Sequence, residues 1–290
     1  MSLRKNVLEL IIRGTCQTST QDAEKKVLMD PKCKTAIITG GTGGIGFATA
    51  HQLLANKARV VALLGTDPRK GLEAVRNLNC AYGRDKAVFV KCDVRNKCDI
   101  EEVLTQLKSD YEKMEIIVNA AGIWNDKEWE QELAVNLSGI IITSLAAEKY
   151  LDKENGVVIN LAGTLGLQPV PPSPILAALQ SGVIQLSQSL GHDLNFRRTG
   201  IRYVALCPGI TQTDFSKDVE KRVRTPEEAR DLENFLKKAH RQKPDVCAKS
   251  VVELIKYGPT GSTWVIEGSR LFYLNLPDWK KHCNLVSQFT

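Results

Sequence analysis

Short apolar runs alternate with longer amphipathic segments along most of this 290-residue chain. The runs are rich in valine, isoleucine and alanine and several end close to a glycine, which is typical of buried strands. The predicted strands are residues 34–39, 59–64, 87–93, 115–121, 156–162, 201–209 and 262–268. The segments with helical spacing are residues 47–57, 68–79, 99–113, 128–151, 174–194 and 246–257. Because apolar strands that alternate with helices are buried on both faces, the pattern predicts an α/β fold with a doubly wound parallel sheet of about seven strands.

The alternation divides the chain into one domain and two appendages. We predict an N-terminal extension over residues 1–31, a single domain over 32–270 and a C-terminal tail over 271–290. Residues 214–245 interrupt the alternation with many charged residues, and we predict that they form a helical flap over the carboxyl edge of the sheet. Thr225, Pro226 and Glu228 are typical of a helix start, so the charges on this segment are expected to form a solvated helix face.

Composition and charge indicate which classes of binding partner, such as nucleic acid or metal ions, the protein is expected to lack. The net charge of +6 is spread over 39 basic and 33 acidic residues, which argues against binding to nucleic acid. The eight cysteines show no close-paired spacing of the kind that binds metal, so we predict no metal site. A chain of this length also needs no disulfide bonds for stability, and we expect a cytoplasmic protein.

The first twenty residues combine basic residues, an apolar run and a Ser/Thr-rich end. These features fit a surface helix that packs on this chain or on a protein partner, and they also fit a mitochondrial targeting segment. Glu9 argues against the targeting role. The apolar run is too short to cross a bilayer, so we predict no membrane span.

The segment TGGTGGIG, residues 39–46, lies where the first predicted strand meets the first predicted helix. Glycines at such a turn allow the backbone to approach a pyrophosphate, and the helix N-terminus supplies free amides and a positive dipole. Three further segments follow predicted strands, namely CDV at 92–94, NAAG at 119–122 and CPGITQT at 207–213. In this order, the four segments indicate a dinucleotide site at the carboxyl edge of the sheet.

Together these segments resemble the short-chain dehydrogenase/reductase family over residues 33–268. Within the family, the chain is most similar to the branch with 15-hydroxyprostaglandin dehydrogenases and insect alcohol dehydrogenases. The resemblance implies a Rossmann-type fold, a nicotinamide cofactor, and a homodimer or tetramer that pairs through helices 128–151 and 174–197. It assigns cofactor contacts to Gly40, Thr42, Gly44, Ile45, Gly46, Asp93, Val94, Asn119, Ala120, Ala121, Gly122, Pro208, Gly209, Ile210 and Thr213.

The end of the second strand leaves the choice between NAD and NADP open. NAD-preferring relatives place an acidic residue there to bind the ribose hydroxyls, and this chain has Leu64. Asp67, three residues later, could reach the ribose if the loop curls back, and Arg69 could favour a ribose phosphate instead. An ordinary turn at these residues is the alternative for both. We predict NAD rather than NADP.

The resemblance also implies a catalytic serine, a tyrosine and a lysine four residues after the tyrosine, so that the lysine ammonium lowers the tyrosine pKa. Without any gap, these positions hold Gly163, Leu176 and Gln180. Asn136, which completes a water relay in the family, is present. With its partners replaced, we predict a structural role instead, in which its side chain binds neighbouring backbone groups. Since leucine cannot transfer a proton, we predict no intact catalytic group and little or no alcohol oxidation.

Three hypotheses of function follow. The first is a catalytically degenerate family member that acts as a binding or regulatory module and holds NAD(P) or a small hydrophobic ligand. The second is an active NAD(P)-dependent oxidoreductase on a secondary alcohol or ketone that uses Thr164 and water held by Asn136. The third is a structural or assembly subunit that docks a protein partner through its N-terminal extension.

Overall fold

A computed structural model describes residues 26–275 of the chain. The strands within that range are β1 (Thr35–Thr39), β2 (Val60–Gly65), β3 (Ala87–Lys91), β4 (Ile116–Asn119), β5 (Val157–Leu161), β6 (Arg202–Pro208), β7 (Thr263–Glu267) and β8 (Arg270–Leu274). The helices are α1 (Gly44–Ala55), α2 (Pro68–Tyr82), α3 (Lys97–Tyr111), α4 (Trp129–Leu133), α5 (Gly139–Tyr150), α6 (Pro174–Leu190), α7 (Asp193–Thr199), α8 (Pro226–Lys238) and α9 (Pro244–Tyr257).

The eight strands form one sheet in the order β3-β2-β1-β4-β5-β6-β7-β8. Strands β1 to β7 are parallel, and β8 is antiparallel to β7. The sheet confirms the predicted doubly wound α/β fold. The strand order reverses at β1, which pairs with β2 on one side and β4 on the other, and ligands bind at the carboxyl ends of the strands at such a point.

Successive residues of each strand alternate between two hydrophobic cores, as the period of a strand requires. Ile38 and Leu63 pack in the core on the side of α1 and α9, whereas Ile37 and Leu64 pack on the side of α3 and α5. All five residues of β1 are buried. Burial on both faces explains why the strands are nearly continuous apolar runs in the sequence.

The flap, residues 214–245, follows β6 and covers the carboxyl edge of the sheet. Its helix α8 starts with the predicted capping box, in which the Glu228 amide donates to the Thr225 hydroxyl and the Glu228 carboxylate accepts from the Thr225 amide. Leu232 and Leu236 are buried, while the charged residues of α8 face mostly outwards. A third hydrophobic core joins this helix to Trp124, Leu165, Leu176 and Ile210.

Two element predictions differ from the structure. The helix predicted over 174–194 ends at Leu190, where Gly191 approaches the chain so closely that a β-carbon on it would lie 2.2 Å from the Gly261 nitrogen. The His192 imidazole then accepts from the Leu194 amide and starts α7. The helix predicted over 128–151 is helical throughout but includes a π-helical segment at Ala134–Ser138.

The sheet also has eight strands instead of about seven. The additional strand, β8, starts at Arg270 and lies mostly in the range predicted as the tail. The extension predicted over 1–31 and the remainder of the tail lie largely outside the described residues. Among residues 26–275, no helix has both the length and the hydropathy to cross a membrane.

Candidate functional site

A cavity of about 280 Å³ opens at the carboxyl ends of β1, β4, β5 and β6, at the point where the strand order reverses. The glycine-rich turn before α1, the loop after β4, the start of α6 and the start of the flap form its walls. All four positions that the family resemblance assigns to catalysis line it, namely Asn136, Gly163, Leu176 and Gln180. The structure therefore brings these four predicted positions together at one cavity.

The glycine-rich turn has the geometry of a backbone cradle. Gly40 has a φ of +64°, and a β-carbon on it would lie 2.7 Å from the Ala121 Cα. A β-carbon on Gly46 would lie 2.4 Å from the Gly40 carbonyl oxygen, so the start of α1 packs directly on the turn. Both positions need glycine, and the turn leaves backbone amides of the first helix turn open to the cavity.

Most of the predicted cofactor residues are brought together at this cavity. Those that line it are Gly40, Thr42, Gly44, Ile45, Ala120, Ala121, Gly122, Pro208, Gly209, Ile210 and Thr213. Gly46 lies behind them in the turn. Asp67, Asp93, Val94 and Asn119 do not line the cavity.

The carboxylates of Asp67 and Asp93 already accept hydrogen bonds from other groups of the protein. The Asp67 carboxylate caps α2 by accepting from the amides of Arg69 and Lys70. Asp93 forms a two-pronged ion pair with Arg95, at 2.6 Å between Oδ2 and Nη2 and 3.0 Å between Oδ1 and Nε. The hydrogen bonds from Arg95 hold the Asp93 pKa below its ordinary value.

Asn119 has a structural role beneath the cavity. It is buried, and its Nδ2 donates to Asn160 Oδ1 at 2.8 Å. Asn160 in turn donates to the Ser187 hydroxyl on α6 at 3.0 Å. This chain of buried polar groups ties β4 and β5 to α6, the helix that carries Leu176 and Gln180.

Leu176, at the position of the family tyrosine, has no solvent exposure. It packs in the third hydrophobic core together with Trp124, Val219 and Leu232, which come from the loop after β4 and from the flap. Its side chain therefore both lines the cavity and anchors the flap. The residue is part of the apolar wall, and it offers no group that can give or take a proton.

The Gln180 amide, at the position of the family lysine, lies against Gly163, at the position of the family serine. A β-carbon on Gly163 would lie 2.5 Å from both Nε2 and Oε1 of Gln180. Any side chain at residue 163 would therefore collide with the amide. Gln180 is buried, and its Oε1 has no hydrogen-bond partner among the described residues.

Asn136 lies in the π-helical segment and binds the backbone of the loop after β4. Its Oδ1 accepts from the Ile123 amide at 2.8 Å, and its Nδ2 donates to the Ile123 carbonyl at 2.6 Å. Both polar groups of the side chain are thus used to hold the loop. This observation favours the structural role over the water relay that the resemblance implies.

Asp214, at the start of the flap, is the single ionisable side chain among the described residues that line the cavity. It is exposed to solvent. Thr164, the hydroxyl proposed for an alternative proton path, also lines the cavity and is buried. A hydroxyl without a neighbouring base is a poor proton acceptor at neutral pH.

Two aromatic residues of the wall were missed by the sequence analysis. Trp124 and Phe215 have ring centroids 5.8 Å apart and close the cavity on the flap side. The Trp124 Nε1 donates to the Ser173 hydroxyl at 2.8 Å, so the ring is fixed at the start of α6. The available signal was their place in the sequence, because each follows a predicted cofactor segment within two residues.

A pair of buried carboxyl groups lies behind this aromatic wall. Asp126 accepts from the Ser173 hydroxyl at 2.8 Å and from the Ile175 amide at 3.2 Å. Glu132 is fully buried, and within residues 26–275 neither of its carboxyl oxygens has a partner with hydrogen-bond geometry. Burial, and then the charge of Asp126, raise the pKa of Glu132 to about 8, although the nearby Asn125 amide and Arg222 partly oppose the shift. Glu132 is therefore largely protonated at neutral pH.

Within residues 26–275, no group of three or more histidine, cysteine, aspartate or glutamate side chains is arranged to hold a metal ion.

Comparison with known proteins shows the family to which the chain belongs. A family model described as short chain dehydrogenase matches residues 34–224. Alcohol dehydrogenase 1 of Ceratitis cosyra is 31% identical over 236 residues, which cover 80% of this chain and 91% of the relative. The 15-hydroxyprostaglandin dehydrogenase [NAD(+)] of Mus musculus is 32% identical over 192 residues, which cover 65% of this chain and 71% of the relative.

Solved structures agree with the fold. The crystal structure of levodione reductase superposes with a TM-score of 0.73 at 21% identity, covering 82% of this chain and 97% of that one. A dehydrogenase/reductase from Sinorhizobium meliloti 1021 superposes with a TM-score of 0.68 at 25% identity, covering 82% and 95%. From its sequence match, its strand order and its glycine-rich turn, this chain belongs to the short-chain dehydrogenase/reductase family, in the branch of the insect alcohol dehydrogenases and 15-hydroxyprostaglandin dehydrogenases.

Proposed function

We propose that this protein binds a nicotinamide dinucleotide but lacks the proton transfer by which the family oxidises alcohols, so that it acts as a binding or regulatory module. The observation that carries the proposal is the character of the cavity wall. Leu176 is fully buried in the core that anchors the flap, and the Gln180 amide takes the space of a side chain at residue 163. At the position of the family tyrosine, the side chain of Leu176 makes packing contacts and cannot transfer a proton.

The cradle fits the dinucleotide. A β-carbon on Gly40 or Gly46 would collide with backbone atoms, so this turn has no side chains at these two positions. The N-terminus of α1 faces the same cavity. The turn would hold the pyrophosphate, Ala120 to Gly122 would border a ribose, and Pro208 to Thr213 would approach the nicotinamide. When bound, the dinucleotide supplies a hydride acceptor or donor.

Next to that position, the cavity suits the apolar part of a small ligand. Trp124, Leu165, Leu176, Val183 and Phe215 form this part of the wall. An apolar wall with a few polar groups favours a hydrophobic ligand that hydrogen-bonds at one point, and the Gln180 amide is placed to be that point.

The alternative of an active oxidoreductase depends on Thr164 and on water held by Asn136. Thr164 lines the cavity wall, as this alternative requires, and this supports testing it. Asn136 argues against it, because both polar groups of its side chain bind the Ile123 backbone.

We also infer that the protein forms a homodimer or tetramer through α4, α5 and α6. Trp129 on α4 and Leu145 on α5 are exposed apolar side chains on these elements, which supports such pairing. The six described cysteines are free, which is compatible with a reducing compartment such as the cytoplasm.

Calorimetric titration with NAD⁺, NADH, NADP⁺ and NADPH tests the proposal. We expect at least one dinucleotide to bind, and we expect Gly122→Val to abolish that binding. Gly122 lines the cavity, and a β-carbon there would make contacts of 3.4 Å with Asn136 and Phe215, so the fold should tolerate Gly122→Ala, and thermal unfolding checks that Gly122→Val is folded. Gly122→Ala is the matched smaller change and should weaken binding less. Absence of binding for all four dinucleotides would overturn the proposal.

A further inference from the structure

A second cavity lies between the C-terminal end of α9 and the hairpin of β7 and β8, and we call it the α9 groove. It has a volume of about 300 Å³. Its walls are largely apolar and include Leu254, Pro259, Trp264, Leu271 and Tyr273. Among the described residues, none lines both this groove and the cavity at the carboxyl ends of the strands. The α9 groove is therefore separate from the proposed dinucleotide site.

The hairpin contributes an aromatic face to this groove. Trp264 and Tyr273 are register partners on β7 and β8, and their ring centroids are 5.1 Å apart. The Trp264 Nε1 donates to the Ser262 hydroxyl at 2.8 Å, which fixes the ring. Leu271 lies on the same face of β8, two residues before Tyr273, and Tyr273 is 47% exposed. A continuous apolar face of this kind marks a surface for contact with another segment.

The N-terminal extension joins the described part of the chain at the rim of this groove. Lys26, the first described residue, is one of the lining residues. The Leu28 amide donates to the Lys256 carbonyl on α9 at 2.7 Å, and Met29 is buried in the first hydrophobic core. These contacts fix the chain against α9 just after Lys26. Residues 1–25 therefore connect to a point that already borders the groove.

The extension includes an apolar run, VLELII at residues 7–12, that can fill such a groove. Thirteen residues separate this run from Lys26. Because an extended chain spans about 3.3 Å per residue, this tether reaches up to about 40 Å and does not prevent the run from approaching the groove. A short tether also gives the run an effective concentration of about a millimolar at the groove. Weak apolar contacts are then enough for docking.

The C-terminal tail is directed elsewhere. Asn275, the last described residue, lines a different cavity together with Leu274 and Gln188. Gln188 belongs to α6, and Leu190 of that helix packs on the second hydrophobic core, whereas α9 packs in the first. Since adjacent strand residues point to opposite faces, Leu274 lies on the α6 face of the hairpin and Tyr273 on the α9 face. The path of the chain thus favours the N-terminal extension as the occupant of the α9 groove.

We infer that the apolar run at residues 7–12 docks in the α9 groove of its own chain and covers the face formed by Trp264, Leu271 and Tyr273. Burial of leucine and isoleucine side chains against this face supplies the driving force. The inference goes beyond the proposed function, because the groove has no part in dinucleotide binding. It assigns to the extension one of the roles that the sequence left open, which is packing on this chain.

Photo-crosslinking of the full-length protein tests this contact. Leu10 is replaced by p-benzoylphenylalanine, an apolar photoreactive residue, and the products of irradiation are mapped by mass spectrometry. We expect crosslinks within one chain, to peptides of the β7–β8 hairpin and of the C-terminal end of α9. Irradiation at two protein concentrations separates these products from crosslinks between two chains, because only the latter increase with concentration.

Variants of the labelled protein show whether the contact is docking. Ile11→Asp places a charge in the docked run and should lower the crosslink yield by about tenfold. Glu9→Gln, in the same run, is the matched control and should leave the yield unchanged. On the side of the groove, Tyr273→Glu should lower the yield by a similar factor. Leu194→Glu is its control, since Leu194 is an exposed apolar residue on α7, and thermal unfolding confirms that each variant is folded.

The crosslinked products decide which segment occupies the groove. Crosslinks from Leu10 to the groove of another copy of the chain would show that a second copy is the partner, and they would overturn the inference. Crosslinks only to other faces of the protein, or none at all, would overturn it as well. A yield that neither Ile11→Asp nor Tyr273→Glu changes would mean proximity without docking, which also contradicts the inference. Failure of the protein to bind a dinucleotide would leave the inference in place, because the two sites are separate.

Discussion

The side-chain amide of Gln180 fills the space that a β-carbon on Gly163 would need, with both amide heteroatoms 2.5 Å from that position. The φ of Gly163 is 178°, an extended conformation that any residue adopts, so only the amide excludes a side chain. The changes at two of the three family catalytic positions are thus physically coupled. A serine at residue 163 requires the Gln180 amide to move, whereas a change at residue 180 alone meets no side chain at residue 163.

This contact predicts a dependence between two substitutions. Gly163→Ser should lower the free energy of unfolding by about 1 kcal/mol, because the buried Gln180 amide, the end of a flexible side chain, must shift. The same substitution in a Gln180→Ala background should cost less. Urea unfolding of the wild-type protein, both single variants and the double variant measures the coupling. If the changes in the free energy of unfolding are additive, the amide moves freely and its contact with residue 163 does not affect stability.

Restoring the three family residues together should create dehydrogenase activity. In Gly163→Ser/Leu176→Tyr/Gln180→Lys, a phenol and an ammonium four residues apart lie on one face of α6. We expect the rate of alcohol oxidation to rise by about 10²-fold or more over the wild-type protein. The matched control replaces Leu176 with phenylalanine in the same background and lacks only the hydroxyl. Equal activity in the two triple variants would mean that the phenol is not the proton acceptor.

The buried carboxyl group of Glu132 predicts a pH dependence of stability. Burial raises its pKa to about 8 in the folded protein, from an ordinary value near 4.5 in the unfolded chain. Since the folded state then holds the proton more tightly, stability is greatest below the unfolded pKa and falls as the pH rises towards 8. The burial that raises the Asp126 pKa adds in the same direction.

Glu132→Gln should therefore flatten the pH profile of the unfolding temperature between about pH 5 and 8, and it should be more stable than the wild-type protein at the upper end of this range. The difference should be a few kcal/mol at most. Glu130→Gln is the control, because Glu130 is exposed on the same helix. A wild-type profile that rises with pH over this range would contradict the assignment.

Asn136 is predicted to support the fold rather than catalysis. Asn136→Ala removes both hydrogen bonds to the Ile123 backbone and should cost about 1–3 kcal/mol of stability. Asn136→Asp keeps the acceptor but sets a carboxylate oxygen against the Ile123 carbonyl in a buried position, so it should cost at least as much. Thermal unfolding compares the variants. If the wild-type protein has alcohol oxidation that Asn136→Ala removes without any loss of stability, the water relay is the correct account.

The sequence predicted the sheet, and the residues predicted for the site lie together at one cavity, because both depend on local patterns. Buried parallel strands are continuous apolar runs, and the cofactor segments directly follow their strands. Strand β8 was missed, although a two-residue turn at Gly268 and Ser269, both with positive φ, joins it to β7. Glycine and serine between two apolar runs were the signal for that hairpin.

Other features of the site depend on side-chain rotamers or on contacts between distant segments, and local sequence patterns do not contain this information. The ion pair between Asp93 and Arg95 depends on the rotamers of both side chains. The packing of Leu176 against the flap joins residues about 40 or more positions apart in the sequence. The contact between Gln180 and Gly163 likewise depends on how α6 lies against β5. The sequence shows that Gly163, Leu176 and Gln180 stand at the positions of the family serine, tyrosine and lysine. Only the three-dimensional structure shows which contacts their side chains make instead.

The central claim is that this cavity binds a dinucleotide without a group that moves the substrate proton. The most direct measurement follows the absorbance of reduced nicotinamide when the wild-type protein is mixed with a panel of secondary alcohols and saturating NADP⁺ or NAD⁺, with Asp214→Asn measured in parallel. We predict no turnover above the rate without protein, and no effect of the Asp214 change. Turnover at about 1 s⁻¹ or faster, above all if Asp214→Asn removed it, would contradict the account.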